Sequence, residues 1–182
     1  MYTLKFDGLF REETTTKFGD ARAGFISYGW LIYKGEQFIA RGFGVFALDK
    51  YAASNIAEYI ALIEGLEALA DFGVWKEAVE IRGDAKCVID QMCGVAGISS
   101  VPTRKLYVRA SRLAKRFVDL NWQWVPRRYN READHLTKHA MKKMRSTCQT
   151  FREAINTPSV ASILDGKLAS VIDLRVYLQS ET

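Results

Sequence analysis

The sequence predicts an α/β fold built on a mixed sheet, and two patterns support this prediction. The first 46 residues contain three apolar runs suited to strands, joined by short or polar links. From residue 55 onward, apolar stripes of helical period alternate with short strand-like runs. The resulting order, βββ-α-β-α-α-β-α, is typical of an antiparallel start followed by right-handed crossovers.

The first three predicted strands form an antiparallel unit. Alternating apolar residues predict a strand over residues 2–6, and an Asp-Gly pair follows as a turn signal. The polar residues 9–23 predict an extended loop. Residues 24–33 and 38–46 are aromatic and β-branched, and their short glycine-containing link predicts a hairpin.

The second half changes to a helical period. Asn55 is a predicted N-cap of the first helix, Gly73 marks its end, and Asn130 is the predicted cap of the last helix. The predicted elements are a helix at 55–71, a strand at 78–81, a helix ending near 92, a basic helix at 103–119, a strand at 122–125 and a helix at 131–142.

Composition bounds the class of protein. The chain has 182 residues, 48% of them hydrophobic and 26% charged, which suits one sizeable core. No apolar stretch approaches the roughly 20 residues of a membrane-spanning helix, and the N-terminus lacks a signal-peptide layout. The three cysteines show no CxxC spacing, which favours thiols over disulfides or zinc ligands. We therefore expect a cytoplasmic protein with no membrane partner.

Positive charge is concentrated in one stretch. Between Arg104 and Arg131 there are nine lysines and arginines against one acid, Asp119, although the whole chain carries a net charge of only +5. Such a concentration suits a phosphate backbone. A solvated helix face with unpaired cations explains the charge equally well.

The chain divides into two predicted parts. Residues 1–142 contain all the patterned elements, and residues 143–182 form a C-terminal extension of unknown role. Scattered apolar positions in the extension suit a docked helix, a strand pair or an assembly element. The oligomeric state is therefore open.

Four acids lie at the ends of predicted elements: Asp7, Glu58, Asp84 and Asp134. Taken singly, each has a structural explanation as a turn residue, a helix cap or a favourable charge near a helix N-terminus. Their joint placement points to chemistry if the strands before Asp7 and Asp84 are neighbours, because the acids then converge at one edge of the sheet.

Converging carboxylates need a compensating charge. Two carboxylates about 4 Å apart repel by about 4 kcal/mol at an effective dielectric constant near 20. Mg²⁺ binds a few carboxylates together with phosphate oxygens and water. Two such ions activate a water and stabilise the leaving oxygen of a phosphodiester.

Four segments resemble the signature segments of type 1 ribonuclease H, in the right order and across residues 1–142. The last of them is closest to the short-loop, reverse-transcriptase-like members. The segments are Phe6-Asp7-Gly8, Ser54-Asn55-Ile56-Ala57-Glu58-Tyr59, Gly83-Asp84-Ala85-Lys86 and Asn130-Arg131-Glu132-Ala133-Asp134-His135-Leu136.

The resemblance implies a five-stranded mixed sheet flanked by helices and endonucleolytic cleavage of the RNA strand of RNA–DNA hybrids. It implies that Asp7, Glu58, Asp84 and Asp134 are catalytic and hold two Mg²⁺ or Mn²⁺ ions. Exposed ribose hydroxyls in the minor groove would distinguish RNA from DNA. The candidate substrate-binding residues are Ser54, Asn55, Lys86, Arg109, Arg112, Arg116 and Arg131.

The sequence departs from the family in places. Many members carry a histidine in the loop before the last helix, whereas residues 126–129 here contain none. His135 and His139 lie within the helix, and neither is a predicted catalytic residue. The residues that follow Asp84 are Ala85 and Lys86 in place of the usual polar pair. These departures concern substrate handling and leave the four acids in place.

Two alternative functions remain from the sequence. One is a non-hydrolytic module that binds hybrid or double-stranded RNA, since a fold does not fix a function. The other is a different nuclease of the same superfamily, a junction resolvase or an exonuclease. The four tryptophans, Trp30, Trp75, Trp122 and Trp124, are expected in the core rather than as stacking platforms for bases.

Overall fold

The structure is a computed structural model that describes residues 1–13, 23–147, 150, 153, 154 and 168–177. None of the helices in this described part combines the length and apolar character that crossing a membrane requires. In chain order the elements are β1 (Tyr2–Glu12), β2 (Gly24–Lys34), β3 (Gln37–Leu48), α1 (Ser54–Asp71), β4 (Ala78–Gly83), α2 (Lys86–Met92), α3 (Val101–Ala114), β5 (Asp119–Trp124), a 3₁₀ turn (Arg127–Tyr129), α4 (Arg131–Thr147) and β6 (Leu168–Tyr177).

The strands form one mixed sheet in the order β5-β4-β1-β2-β3-β6. Strands β1, β2 and β3 pair antiparallel, as the sequence predicts, while β4 and β5 continue the sheet in parallel beyond β1. The predicted α/β fold is therefore confirmed. The sheet has six strands in the described part of the chain, where the resemblance implied five.

The sixth strand comes from the C-terminal extension. β6 pairs antiparallel with β3, from Ala40 opposite Tyr177 to Leu48 opposite Leu168. Its apolar residues did not favour a strand over a helix, because the pairing partners lie 120 or more residues away in sequence. The C-terminal extension thus adds a strand at the edge of the main sheet. Residues 155–167 lie outside the described residues, and a role in assembly stays a prediction.

Strand β1 is longer than the sequence predicts. It continues through Asp7 to Glu12, and its second half pairs with the start of β2. The Asp-Gly pair is therefore not a turn. Gly8 is needed for another reason: a Cβ there would lie 2.2 Å from the backbone carbon of Ala57, so β1 and α1 touch at this point. The rest of the predicted loop, residues 14–22, lies outside the described residues.

Helices cover both faces of the sheet. α1 is the central helix of the larger core, and α3 packs against it through Leu106 and Ala110. α4 packs on the opposite face against β1, β2 and β3, where Leu136 and Met141 join a second apolar cluster. Leu4 and Phe6 of β1 point into the α1 side. The alternation along β1 therefore turns Asp7 towards α4.

Several helix boundaries differ from the predictions, including the end of α4, which lies at Thr147 rather than near residue 142. α1 begins at Ser54 after Ala53, with no side-chain cap, so Asn55 is not the N-cap. α3 ends at Ala114 rather than near 119, because the chain turns there and Phe117 packs on Trp75 with ring centroids 5.0 Å apart. The residues that follow enter β5, which pairs with β4 from Asp119 onward.

Candidate active site

The sheet order brings the predicted acids to one edge. β1 and β4 are parallel neighbours whose pairing ends at Phe6 and Gly83, the residues before Asp7 and Asp84. The condition on which the prediction depended is therefore met. Asp7 nevertheless lies within β1 rather than at its end, because β1 continues to Glu12. Only the neighbouring strand, β4, ends at this level.

Glu58 is tied to β1 through the contact at Gly8. The backbone N–H of Gly8 donates to Glu58 Oε2 at 3.1 Å. The sequence left open a role for Glu58 in capping the start of α1. The structure shows a different role, because the Glu58 carboxylate faces β1 beside Asp7. The absence of a side chain at Gly8 makes this approach possible.

Asp7 and Asp84 each accept a hydrogen bond from the region of α4. Thr137 Oγ1 donates to Asp7 Oδ2 at 3.0 Å. Asn130 Nδ2 donates to Asp84 Oδ1 at 2.7 Å and to the Phe6 carbonyl at 2.8 Å. The Asn130 carbonyl accepts the first helical hydrogen bond of α4, as a cap does. Its buried side chain, however, holds the two acid-bearing strands together.

Asp134 differs from the other acids because both of its oxygens contact cations. Arg127 Nη2 donates to Oδ1, and Lys138 Nζ donates to Oδ2 at 2.5 Å. Although burial acts in the opposite direction, these hydrogen bonds hold the pKa of Asp134 below its usual value. Asp134 lies in the first turn of α4, as predicted.

Burial and mutual repulsion raise the pKa values of two of these acids. Burial, together with the nearby charge of Asp84, raises the pKa of Asp7 to about 7, although the Thr137 hydroxyl opposes the shift. Burial and the charges of Asp7 and Asp84 raise the pKa of Glu58 well above its usual value. Carboxylates with this behaviour repel one another, and the positive charge of Arg127 opposes both shifts without cancelling them.

The residues fit a divalent cation in their chemistry. An all-carboxylate oxygen set is the kind that Mg²⁺ and Mn²⁺ prefer. Among the described residues, no three acids, histidines or cysteines are yet close enough to hold an ion. An ion at this edge would therefore require the carboxylates to move together.

The other predicted site residues are spread over a wider surface. Ser54 and Asn55 are exposed at the start of α1, one turn before Glu58. Asn55 Nδ2 lies 4.0 Å from Cys87 Sγ, which links this turn to α2. Lys86 is exposed and forms an ion pair of 2.6 Å with Asp90.

The basic helix has fewer free cations than its sequence suggests. Arg109 Nη2 donates to Glu67 Oε1 of α1 at 2.5 Å, and the Arg116 guanidinium stacks 4.0 Å from the Trp75 ring centroid. Arg112 and Arg131 are exposed. The outer face of α3 lines a shallow groove formed by Val101, Arg104, Lys105, Val108, Arg109 and Arg112.

Sequence reasoning missed several residues of the site. Arg127 and Thr137 were not identified, and the side chain of Asn130 was given only a capping role. Lys138 stands four residues after Asp134, a spacing that predicts a helical ion pair and was readable from the sequence. Trp124 is 44% exposed, so its predicted core position is wrong; its indole N–H donates to the Asp84 carbonyl at 3.1 Å.

Comparison with known proteins places this chain in a family. Residues 14–140 match the family described as reverse transcriptase-like. The chain is 37% identical over 114 residues to ribonuclease HI of Halobacterium salinarum, covering 62% of this chain and 55% of that one. It is 41% identical over 90 residues to a bifunctional protein of Mycobacterium tuberculosis, covering 50% of this chain. The match spans only 24% of that mycobacterial protein.

Solved structures agree. The RNase H1 of H. salinarum superposes with a TM-score of 0.66 at 33% identity, over 78% of this chain and 98% of that one. The N-terminal RNase H domain of the M. tuberculosis protein superposes with a TM-score of 0.66 at 29% identity, over 80% of this chain and 96% of that one. LC11-RNase H1, solved with an RNA/DNA hybrid, superposes with a TM-score of 0.66 at 24% identity, over 79% of this chain and 98% of that one. This chain therefore belongs to the reverse transcriptase-like branch of the type 1 ribonuclease H family.

Proposed function

We propose that this chain hydrolyses the RNA strand of RNA–DNA hybrids with two Mg²⁺ or Mn²⁺ ions held by Asp7, Glu58, Asp84 and Asp134. The observation that carries the proposal is the convergence at one sheet edge of Asp7 on β1, Glu58 on α1 and Asp84 directly after β4. Family membership supports the activity, and the hybrid bound to LC11-RNase H1 supports the substrate class.

The proposal explains an otherwise costly arrangement. Burial and mutual repulsion both disfavour ionised acids at this edge, as the raised pKa values of Asp7 and Glu58 indicate. A protein that only bound nucleic acid would gain nothing from acids that repel phosphate. Divalent cations held by these acids would reverse the sign of the charge at the site, and the chemistry they would supply is activation of a water and stabilisation of a leaving oxygen.

The neighbouring residues of the chain orient the acids. The Gly8 N–H fixes one oxygen of Glu58, the Thr137 hydroxyl fixes one of Asp7, and the Asn130 amide fixes one of Asp84. Each of these donors occupies a single oxygen and leaves the other free to face a cation. The three donors thus aim the acids and do not neutralise them.

Substrate contacts extend the site along the surface. Ser54 and Asn55 present polar side chains one turn before Glu58, where they can meet ribose hydroxyls in the minor groove of a hybrid. Arg112 is exposed on α3 and supplies sequence-independent attraction to phosphates. Lys86 and Arg131 are exposed cations on α2 and α4, where they are available for the same role.

The direct test is cleavage of an end-labelled RNA–DNA hybrid in Mg²⁺ or Mn²⁺ by wild type, Asp84→Asn and Asp90→Asn. The first substitution removes one acid of the site while preserving its shape, and the second removes an α2 carboxylate paired with Lys86. We expect RNA cleavage by wild type and Asp90→Asn and its loss in Asp84→Asn.

The same assay separates the two alternatives. Tight hybrid binding without cleavage in either metal would indicate a non-hydrolytic binding module. Cleavage of an all-DNA four-way junction or of DNA ends, with the hybrid intact, would indicate another nuclease of the superfamily. Equal activity of Asp84→Asn and wild type would show that the carboxylate site takes no part in the reaction.

A further inference from the structure

Helix α4 carries a stripe of basic side chains, of which the proposed function uses only the first. Five exposed basic residues follow one another at spacings of three or four: Arg131, His135, Lys138, Lys142 and Arg145. At about 100° per residue they fall within an arc of about 80°, so they share one side of the helix. With a rise of about 1.5 Å per residue, the stripe is about 21 Å long. These five residues are the basic flank of α4.

Most of the charge on the basic flank is not balanced within the described part of the chain. Lys138 pairs with Asp134 at 2.5 Å. Arg131, Lys142 and Arg145 form no ion pair with any described acid. The helix dipole favours Arg145 in the last turn of α4, but it disfavours Arg131 in the first turn. The dipole therefore does not explain the flank as a whole.

The chemistry of α4 restricts the partner that would bind the basic flank. The apolar residues of this helix, among them Leu136 and Met141, are buried against the sheet. The exposed residues are all polar or charged, and besides the flank they are Glu132, His139, Lys143, Ser146 and Thr147. A helix that binds a membrane surface needs an exposed apolar face, and the centre of a protein interface is rich in apolar and aromatic residues. Cations without apolar neighbours suit the backbone of a nucleic acid.

The position of the basic flank relative to the acids indicates which nucleic acid it would meet. Asp134 lies about 20° outside the arc of the flank, so the stripe starts beside the acids and continues away from them along α4. α4 covers the face of the sheet opposite α1 and α3. The cations of α3 and those of α4 therefore lie on opposite sides of the acids. A duplex that crosses the acids extends past them in both directions.

We propose that the basic flank of α4 binds the phosphate backbone of the hybrid on one side of the cleavage position. This deepens the proposed function and rests on it. The flank contacts phosphates only, so it adds affinity without reading sequence. Since a duplex rises about 3.4 Å per base pair, the length of the flank matches about six base pairs beyond the acids. Long hybrids should therefore bind more tightly than hybrids that cover the acids alone.

The first experiment measures the affinity of the full chain for a hybrid of about 24 base pairs in Ca²⁺ at several salt concentrations, with the RNA checked for integrity afterwards. Wild type is compared with the double variant Lys142→Gln/Arg145→Gln. The matched control is Lys34→Gln/Arg41→Gln, which removes the same charge from exposed positions on β2 and β3. Lys34 pairs with Tyr2 at the end of the sheet away from Asp7.

We expect the α4 variant to lose roughly tenfold in affinity, with a slope of log affinity against log salt that is shallower by about two contacts. The control should keep the wild-type slope. The second experiment repeats the comparison with a hybrid of about 8 base pairs, which reaches only about 14 Å to either side of its centre. On this short hybrid the α4 variant and the control should have similar affinities.

The outcomes separate this inference from the function on which it rests. Equal slopes for the α4 variant and the control on the long hybrid would overturn the role of the basic flank. A loss of affinity as large on the short hybrid as on the long one would also overturn it, because the effect would not depend on duplex beyond the acids. Both outcomes leave cleavage of the RNA strand by wild type untouched. If wild type binds neither hybrid, the proposed function fails and this inference fails with it.

Discussion

Arg175 of β6 reaches α1 and places its Nη2 atom 2.8 Å from Oε2 of Glu64. The same guanidinium lies 3.3 Å from Asp71 Oδ2 and 3.8 Å from Glu67 Oε2. On the same strand, Asp173 Oδ1 accepts from the buried Tyr28 hydroxyl at 2.7 Å. β6 therefore does more than extend the sheet, because it supplies partners to polar groups buried in the body of the protein.

Removing this cation should destabilise the fold. Arg175→Ala leaves the carboxylate of Glu64, which is 8% exposed, without its closest cation. We expect a loss of about 2–4 kcal/mol in the free energy of unfolding. Urea denaturation of the full chain measures it. Arg41→Ala, an exposed arginine of β3, is the matched control and should change stability by less than about 0.5 kcal/mol.

Glu64 should also make stability depend on pH. Burial raises its pKa to about 7 even though Arg175 opposes the shift, and Glu67 and Asp173 add to it. The folded state therefore holds a proton between about pH 4.5 and pH 7 that the unfolded chain has released, so stability falls as pH rises through this window. The effect is at most about 3 kcal/mol.

Glu64→Gln isolates this contribution. The free energy of unfolding of wild type, minus that of the variant, should decrease from pH 4.5 to pH 7.5 and be flat above pH 8. A difference that is flat above about pH 5 and decreases as the pH is lowered below that value would mean that the ion pair with Arg175 outweighs burial and holds the pKa of Glu64 low.

The acid cluster should cost stability when no cation is present. Asp84→Asn removes one of the charges that raise the pKa of Asp7 and Glu58, while its side-chain oxygen still accepts from Asn130. In EDTA we expect this variant to be about 1–2 kcal/mol more stable than wild type. Thermal unfolding with increasing Mg²⁺ should raise the melting temperature of wild type and leave that of the variant nearly unchanged.

Charge reversal on α3 should affect binding of the hybrid to different degrees at different positions. Arg112→Glu replaces an exposed cation, so hybrid affinity should fall and the slope of log affinity against log salt should become shallower by about one contact. Reversing Arg109 and Arg112 together with Arg116, which lies just after the end of α3, should flatten the slope further. A slope that does not change in the triple variant would remove α3 from the substrate path.

Arg109→Glu is expected to act through stability instead. It would place a second negative charge against Glu67, which Arg109 now contacts. Urea denaturation should show a loss of about 1 kcal/mol for this variant, with little loss for Arg112→Glu. Equal losses for the two would mean that the ion pair with Glu67 contributes nothing.

The convergence of the acids could be predicted because Glu58 and Asp84 stand beside element boundaries and Asp7 lies on a strand next to β4. The sequence patterns of β4 and α1 place Asp84 and Glu58 correctly, and the pairing of β1 with β4 brings Asp7 to the same edge. The predictions that failed concern features that depend on partners distant in sequence. β6 is specified by its pairing with β3, and the position of Arg127 depends on the shape of a turn that local patterns do not encode.

Side-chain roles were harder to predict than positions. Asn130 has the residue type and position of a cap, but its amide is used 124 residues away at Phe6. Trp124 has the apolar neighbours of a core residue, but it lies near the end of an edge strand and is exposed. In both cases the local pattern was read correctly and the tertiary contact decided the role.

The contact between Gly8 and α1 fixes the distance between strand β1 and helix α1. Because the backbones of β1 and α1 touch there, the separation of Asp7 from Glu58 is set by main-chain thickness rather than by the size of core side chains. Substitutions elsewhere in the core would then change the melting temperature before they changed the geometry of the acids. A chain built this way can diverge widely in its interior and still deliver the same pair of carboxylates to its substrate.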